Sequence, residues 1–395
     1  MPKTVIRHKW KIIGFLLIVL TICSERFLYN QYTGSSLGTV LQTIVTMAFL
    51  FYSGLAIVSY NIKNSTIKSF ALLLVLVLSW AIIEIYSNHY NTTAIKTAVV
   101  TLSSPISAYY IAKKDNLPLK LMRYFLMGLF FILIGKYFVM ESVNAFLFSN
   151  DKIPGGGYII VPLLPWLVLL FWDKPKILFP LFAIAGALIL IAAKRGAIVC
   201  LALSCLVFIF YYLKSKKSII SWMFIIMLLI GGYYYTVHLL ETSDRFAYKF
   251  YQTEKGDSSG RNELYENQWN YFWEQELHNQ LLGKGTEGAT QAVGIPAHND
   301  WLEIMQDYGF IGIIIYLVSI ATYANFCRKI RYKSARIRCS AFIILVCWGS
   351  SSLFSMFLFS LANIPILVLL GFILGQKEYL ANFSNQVGQY SFLNQ

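Results

Sequence analysis

Long apolar runs, following one another with only short polar breaks, fix what this 395-residue chain can become. A helix needs roughly 20 apolar residues to cross ~30 Å of hydrocarbon. Runs near that length fall at about 10–28, 37–60, 68–87, 93–112, 120–141, 157–172, 176–194, 196–213, 219–240, 309–327, 339–358 and 360–376. The expectation is an all-α integral membrane protein of about twelve transmembrane helices, with a long extracytoplasmic loop containing amphipathic helices. Charged residues make up 13% of the chain, against the ~25% usual in soluble domains. The run at 157–172 is short and holds Pro162 and Pro165, which predicts a tilted or broken span. Ser350, Ser351 and Ser352 interrupt the hairpin at 339–376, so it divides in more than one way.

The net charge of +14 raises nucleic acid as a partner. The positions of the cations argue against it, because Lys and Arg gather in the short breaks between runs, where topology explains them. With the N-terminus inside and the spans alternating, the inside segments hold 22 of the 33 basic residues, and their acids are Asp115, Asp173 and Glu378. Every inside segment is basic, which supports both the orientation and the even count of spans. The first run follows Lys9 and Lys11, lacks a small-residue cleavage site and reads as the first span. The six cysteines lie in apolar runs or beside a basic segment, with no metal-ligand spacing, so neither a disulfide framework nor a zinc site is expected. The division is then helices 1–9 over 1–240, an outer loop over 241–308, helices 10–12 over 309–380 and a cytoplasmic tail over 381–395.

A long loop between spans usually carries function. Within it, Arg261–His278 places Tyr265, Trp269, Phe272, Trp273 and Glu276 at helical spacing, with Ser258 and Ser259 as candidate caps. Such a helix lies in the membrane interface or packs on the bundle top. Gly283, Gly285, Gly288 and Gly294 then give a tightly turning segment. Its G-x-G follows no strand and is not a dinucleotide fingerprint. After Pro296 comes a helix start near His298, with Asn299, Asp300 and Glu303 beside it. An imidazole there is able to accept a proton near neutral pH; the plainer reading is a capping histidine and a first-turn acid.

Lys194 and Arg195 stand out because the topology puts them in an outer turn, where basic residues are otherwise few. A charge at that depth is a functional candidate; the plainer reading is snorkelling to lipid phosphates. Arg245, Lys249 and Arg261 lie in the long loop on the same side. Guanidinium groups hold phosphate in a forked, permanently charged manner. Cations also offset the charge that develops on a departing diphosphate, while a histidine takes the proton of an attacking hydroxyl. Together these groups suit glycosyl transfer from a polyprenyl-diphosphate sugar, with no metal or other cofactor required.

At these residues the chain resembles the O-antigen ligase and O-antigen polymerase family. The resemblance is carried by AKRGA (Ala193–Ala197), SGRNELY (Ser259–Tyr265), LLGKG (Leu281–Gly285) and HNDWLEIMQDYGFIG (His298–Gly312). It implies a metal-independent, inverting glycosyltransferase of the bacterial inner membrane with both termini cytoplasmic and a periplasmic active site. Its donor is a glycan on undecaprenyl diphosphate. Its acceptor is another glycan, as in a polymerase, which is slightly favoured here, or lipid-A core, as in a ligase. By that resemblance His298 corresponds to the catalytic base, and Arg195 and Arg261 to the residues that hold the diphosphate. Lys194, Arg245, Asn299 and Asp300 are the accompanying substrate-binding candidates. The family's Ser-Arg is replaced here by Lys194–Arg195. A lipid-linked oligosaccharide flippase is the rival from another class, but transporters place polar groups at the midplane. Here Lys136 is the clearest charge there, with Glu84 and Lys96 near the ends of their runs.

Overall fold

The structure is a computed structural model, and it describes residues 3–28, 36–59, 62–87, 91–114, 117–144, 156–215, 219–243, 246–247, 250–251, 260–330 and 335–383. Ten helices precede the long loop: α1 (Lys3–Leu28), α2 (Ser36–Ser59), α3 (Ser65–Tyr86), α4 (Thr92–Lys114), α5 (Leu119–Asn144), α6 (Gly157–Ile160), α7 (Leu163–Phe171), α8 (Pro175–Ile191), α9 (Arg195–Ser215) and α10 (Ile219–Thr242). Within it lie α11 (Arg261–Glu274), α12 (Leu277–Leu282) and α13 (Gly288–Val293), besides helical residues at 246–247 and 250–251. The chain closes with α14 (Asp300–Lys329), α15 (Ala335–Phe354), a 3-10 turn (Leu361–Asn363) and α16 (Ile364–Phe383). No strand occurs among the described residues. Helices are what hydrocarbon permits, since each backbone N–H and C=O is then satisfied within its own segment.

Among the described residues, seven helices are long and apolar enough to cross a membrane, and four apolar helices are shorter, including those at Gly157–Phe171 and Leu361–Gln376. The protein is thus a multi-pass helical membrane protein. Its exterior agrees: Val58, Ile82, Phe131, Leu206, Phe210 and Met227 are all exposed, an apolar surface that water does not tolerate but lipid does. The Pro162–Pro165 run is broken as expected, into α6 and α7.

α4 is neither long-apolar nor lipid-facing, and its sequence explains why. Residues Ala98–Tyr109 are buried without exception, because α2, α3 and α16 surround the helix. Without a hydrophobic drive between helices in lipid, association rests on close backbone approach and interhelical hydrogen bonds. Both are present. The Ser107 hydroxyl donates to the Phe49 carbonyl at 3.0 Å, and that of Ser53 to the Ser103 carbonyl at 3.0 Å. On α16, a Cβ at Gly371 would stand 2.2 Å from the Pro105 carbonyl oxygen, and one at Gly375 2.4 Å from that of Tyr109.

Two boundaries differ from the hydropathy reading. α14 runs from Asp300 through the expected 309–327 span without a break in assignment, bending at Gly309, whose φ is 62°. α15 ends at Phe354 rather than near 358, and residues 355–360 form an irregular segment before the 3-10 turn. That segment is fixed by polar groups, not by hydropathy. Asn363 donates to the carbonyls of Met356 and Phe357 at 3.1 Å each, and Asp300 takes the amides of Phe357 and Leu358.

Candidate functional site

The site is built at one end of the bundle, where the α8–α9 turn, α6, the end of α15 and the loop helices meet. α8 closes at Ala192, Ala193 takes a left-handed φ of 49°, and α9 begins at Arg195. This abrupt reversal sets Lys194 and Arg195 side by side in a turn that is half-buried. α6 packs directly on it: a Cβ at Gly157 would touch those of Ala192, Lys194 and Ala197, and one at Gly196 would collide with the Tyr158 hydroxyl. Gly196, in the middle of the AKRGA motif, is therefore the space into which Tyr158 fits.

The last carbonyls of α15 have no helical partner, and side chains from three distant segments take them. Tyr158 donates to the Phe354 carbonyl at 3.4 Å, and Arg261 Nη1 donates to the same oxygen at 2.9 Å. Asn299 Nδ2 donates to the Leu353 carbonyl at 3.1 Å, and Tyr265 reaches it at 3.5 Å. The two motifs SGRNELY and HNDW are thereby fastened to one helix end, with AKRGA joined to it through Tyr158.

His298 sits immediately before the cap of α14. Asn299 is the N-cap, its Oδ1 accepting from the amides of Trp301 at 2.9 Å and Leu302 at 3.4 Å. Asp300 is fully buried and anchors the junction. Its Oδ2 accepts from the Tyr316 hydroxyl at 2.9 Å, which in turn accepts from Trp348 Nε1 at 3.0 Å. Between these anchored neighbours His298 takes a left-handed φ of 52°, a conformation that costs a non-glycine residue of order 1–3 kcal/mol and persists only where the surroundings impose it. The Glu303 carboxylate faces the backbone of Ala297 and His298. The imidazole itself remains exposed.

Partial burial lowers the His298 pKa from the ordinary histidine value, and the positive charges of Arg261 and Lys194 lower it further. The same fact places those two cations within electrostatic reach of the ring. A histidine so held is neutral at neutral pH and free to accept a proton.

The remaining loop is secured by a clasp that composition did not foretell. The kink at Gly309 interrupts the ladder of α14, and the carbonyls of Gln306 and Asp307 instead accept the amides of Lys284 and Gly285 at 2.9 Å each. Gly283 and Gly285 have φ of 85° and 90°, and a Cβ on either would strike the Asp307 backbone or the Glu84 carboxylate. LLGKG is glycine-rich for that reason. Gln268, fully buried, donates to the Ala289 carbonyl at 2.7 Å, and Gln306 donates to the Gln268 carbonyl at 2.6 Å. α11 packs on α13 and α14 through Leu264, Gln268 and Phe272, with Phe272 edge-on to Phe310 at 5.2 Å, so it rests on the bundle while Trp269 and Trp273 stay half-exposed.

Of the residues predicted from sequence, the structure brings Lys194, Arg261 and His298 together and sets Arg195 in the same turn as Lys194. Asn299 and Asp300 are committed to capping and anchoring. Arg245 and Lys249, and the expected caps Ser258 and Ser259, lie outside the described residues; the cap of α11 is Gly260. Tyr158 and the 353–358 segment were missed by sequence reading. The triple serine at 350–352 was the one signal near them. Lys136, read from the sequence as a midplane charge, is buried with its Nζ 3.3 Å from the Cys23 carbonyl. Among the described residues no group of His, Cys, Asp and Glu is arranged to hold a metal ion.

Fold and site thus define a polytopic helical membrane protein with cations and an exposed histidine gathered at one end of its bundle. Residues 180–317 match the family described as O-antigen ligase, and that stretch contains every candidate residue named from the sequence. The match bears out the family resemblance of the motifs and is consistent with a glycosyltransferase-type enzyme of lipopolysaccharide or surface-polysaccharide synthesis. No curated protein matches the chain.

Proposed function

We propose that this protein transfers a glycan from undecaprenyl diphosphate to a sugar hydroxyl at the periplasmic face of the bacterial inner membrane. The observation that carries the proposal is His298 held open to solvent on one side only, with its pKa lowered by partial burial and by Arg261 and Lys194. In the step proposed, the acceptor hydroxyl oxygen attacks the anomeric carbon of the donor. Its proton passes to a ring nitrogen of His298. The bond from the anomeric carbon to the diphosphate oxygen breaks, and the lipid diphosphate leaves with both electrons. Lys194, Arg195 and Arg261 offset the charge on that leaving group. A single displacement from the face opposite the diphosphate inverts the anomeric centre.

On this reading the twelve hydropathy runs are twelve crossings. Both termini are cytoplasmic, helices fill 1–240 and 309–380, and 241–308 is the periplasmic loop, with 381–395 the tail. At the end opposite the site, Arg123 donates to the Leu170 carbonyl at 3.1 Å and Arg336 lies 3.8 Å from Asp173, in keeping with a basic cytoplasmic end. Side-chain cations carry the charge, so a chelator is expected to leave the rate unchanged.

The decisive assay uses purified protein and a defined undecaprenyl-diphosphate oligosaccharide. Transfer is expected, and His298→Ala is expected to reduce it by about 10²–10⁴-fold without loss of membrane insertion. A product ladder formed without lipid-A core identifies a polymerase, the favoured outcome; a single transfer that requires core identifies a ligase. Wild-type turnover in His298→Ala would overturn the assignment of the base.

A further inference from the structure

A second concave region lies beside the His298 centre. The loop between α12 and α13 is clasped to the α3–α4 hairpin by three contacts across the chain: Trp80 Nε1 donates to the Leu282 carbonyl at 2.9 Å, the Thr286 amide donates to Glu84 Oε1, and Asn91 Nδ2 donates to Glu287 Oε1 at 2.8 Å. Around this clasp opens a cleft of about 600 Å³ lined by Trp80, Glu84, Asn91, Lys284, Glu287 and Gln291. That volume lies within the ~300–1,000 Å³ of small-ligand sites.

The lining identifies a ligand class. Two carboxylates against one ammonium repel phosphate, so this is not an extension of the cationic centre. Carboxylates and primary amides converging beside an indole are the groups that recognise a sugar: the acids and amides accept and donate to hydroxyls, and the ring covers an apolar face of the pyranose. Glu84 forms part of the cleft wall, only 7% exposed, and is fixed there by the Thr286 amide on Oε1. Lys284 is held in place by the Tyr271 hydroxyl at 2.5 Å and lies over that ring, so the cleft is largely pre-formed. It also shares α14 with the His298 centre: the amides of Lys284 and Gly285 donate to the Gln306 and Asp307 carbonyls at 2.9 Å each and that of Ala289 to Asp307 Oδ1 at 3.2 Å, on the helix whose cap, Asn299, follows His298.

We propose that this cleft is a saccharide subsite that seats neutral or amino sugar units of a glycan substrate beside His298. As a substrate site it rests on the transfer reading above; as a binding site it stands without it. The saccharide has two possible sources, the repeat-unit glycan or the lipid-A core, which share this chemistry.

The test measures saccharide binding by saturation-transfer NMR to full-length protein in detergent. The probes are lipid-free oligosaccharides released from the surface polysaccharide of the producing strain and, in a parallel arm, its core oligosaccharide. At least one is expected to bind, and Gln291→Trp, which fills the cleft from an exposed position, is expected to weaken it at least tenfold, with Gln291→Ala intermediate. The arm that binds names the source. Failure of both probes to bind, or equal affinity in Gln291→Trp, overturns the proposal. Repeating the measurement in His298→Ala separates the two readings. Binding without transfer in the parent protein removes the transferase and keeps the subsite. Transfer with saccharide affinity indifferent to Gln291→Trp does the reverse.

Discussion

The two ends of the bundle use the same residue types differently. At the end away from the loop, cations are spread and put to structural use: Arg336, only 4% exposed, faces Asp173, Arg123 holds the Leu170 carbonyl, and Lys113 and Lys114 reach the hydroxyls of Tyr109 and Tyr110. At the loop end, Lys194 and Arg261 converge on one imidazole and depress its pKa. Like charges crowded around a proton acceptor are unfavourable for stability unless something else holds them there. Here the holding is done by backbone geometry, with left-handed turns at Ala193 and His298 and the carbonyl end of α15. The comparison teaches that the loop-end cations are set apart by the group they converge on rather than by their burial.

The largest expected effect breaks the comparison if it fails. Arg195→Ala is expected to lower kcat/KM for the diphosphate donor by about 10²–10³-fold, the cost of losing one donor to a developing anion, with Arg195→Lys intermediate and the melting temperature in detergent unchanged. Arg336→Ala is expected to do the opposite. It removes the buried guanidinium that faces Asp173 and lowers the melting temperature, while the folded fraction keeps its kcat/KM. Donor turnover lost equally in both would erase the distinction between the two ends.

A smaller effect sharpens the role of the clasp. Gly285→Ala puts a Cβ 2.3 Å from Glu84 Oε1 at a φ of 90°, a conformation costing of order 1–3 kcal/mol in a non-glycine residue. Limited proteolysis of 277–298 is expected to accelerate, with turnover falling roughly tenfold, because the loop that presents His298 loosens from α3. Asn91→Ala, which removes the exposed bond to Glu287 together with the Asn91 Oδ1 cap on the amides of Thr93 and Ala94, is expected to have a milder effect in the same direction.

Much of this was legible in the chain, and the limits have physical causes. Hydropathy located the helices because hydrocarbon thickness sets their length, and it erred at 354–360, where the path is set by Asp300 and Asn363 taking backbone groups that no hydropathy window registers. α4 was read as a span from the apolar run at 93–112; that it is the buried centre of the bundle depends on the close approach of Gly371 and Gly375, far along the chain, to Pro105 and Tyr109. The cations at 194 and 195 were visible because they violate the charge pattern of their surroundings, and Arg261 because it sits in the SGRNELY motif of the long loop. Tyr158 was invisible, being one of 26 tyrosines, and its meaning lies in the vacancy at Gly196. Asn299 and Asp300 were assigned to substrate, yet their side chains are used up by the α14 cap and the 353–358 segment. The motif HND thus separates into one residue offered to solvent and two that fix its position.

The smallest effect tests the electrostatics directly. His298 acts as a base only while neutral, so kcat/KM falls as pH drops through its pKa. That pKa lies below the ordinary ~6.5 of histidine, because burial and then Arg261 and Lys194 disfavour the charged ring. Lys194→Gln removes one of the two neighbouring charges, so the pKa rises toward the ordinary value and the acid limb of the profile moves to higher pH. Near pH ~6 the variant should therefore lose a few-fold more of its own plateau rate than the parent does, while its plateau near pH ~8, where both rings are neutral, falls only by the lost leaving-group cation. Added salt screens the same repulsion and is expected to move the parent's acid limb in the same direction and the variant's less. A profile measured from about pH 5 to 8 at two ionic strengths decides it: an acid limb that stays in place in Lys194→Gln would mean that Lys194 does not act on the ring, and the convergence that separates the two ends of the bundle would reduce to Arg261 alone.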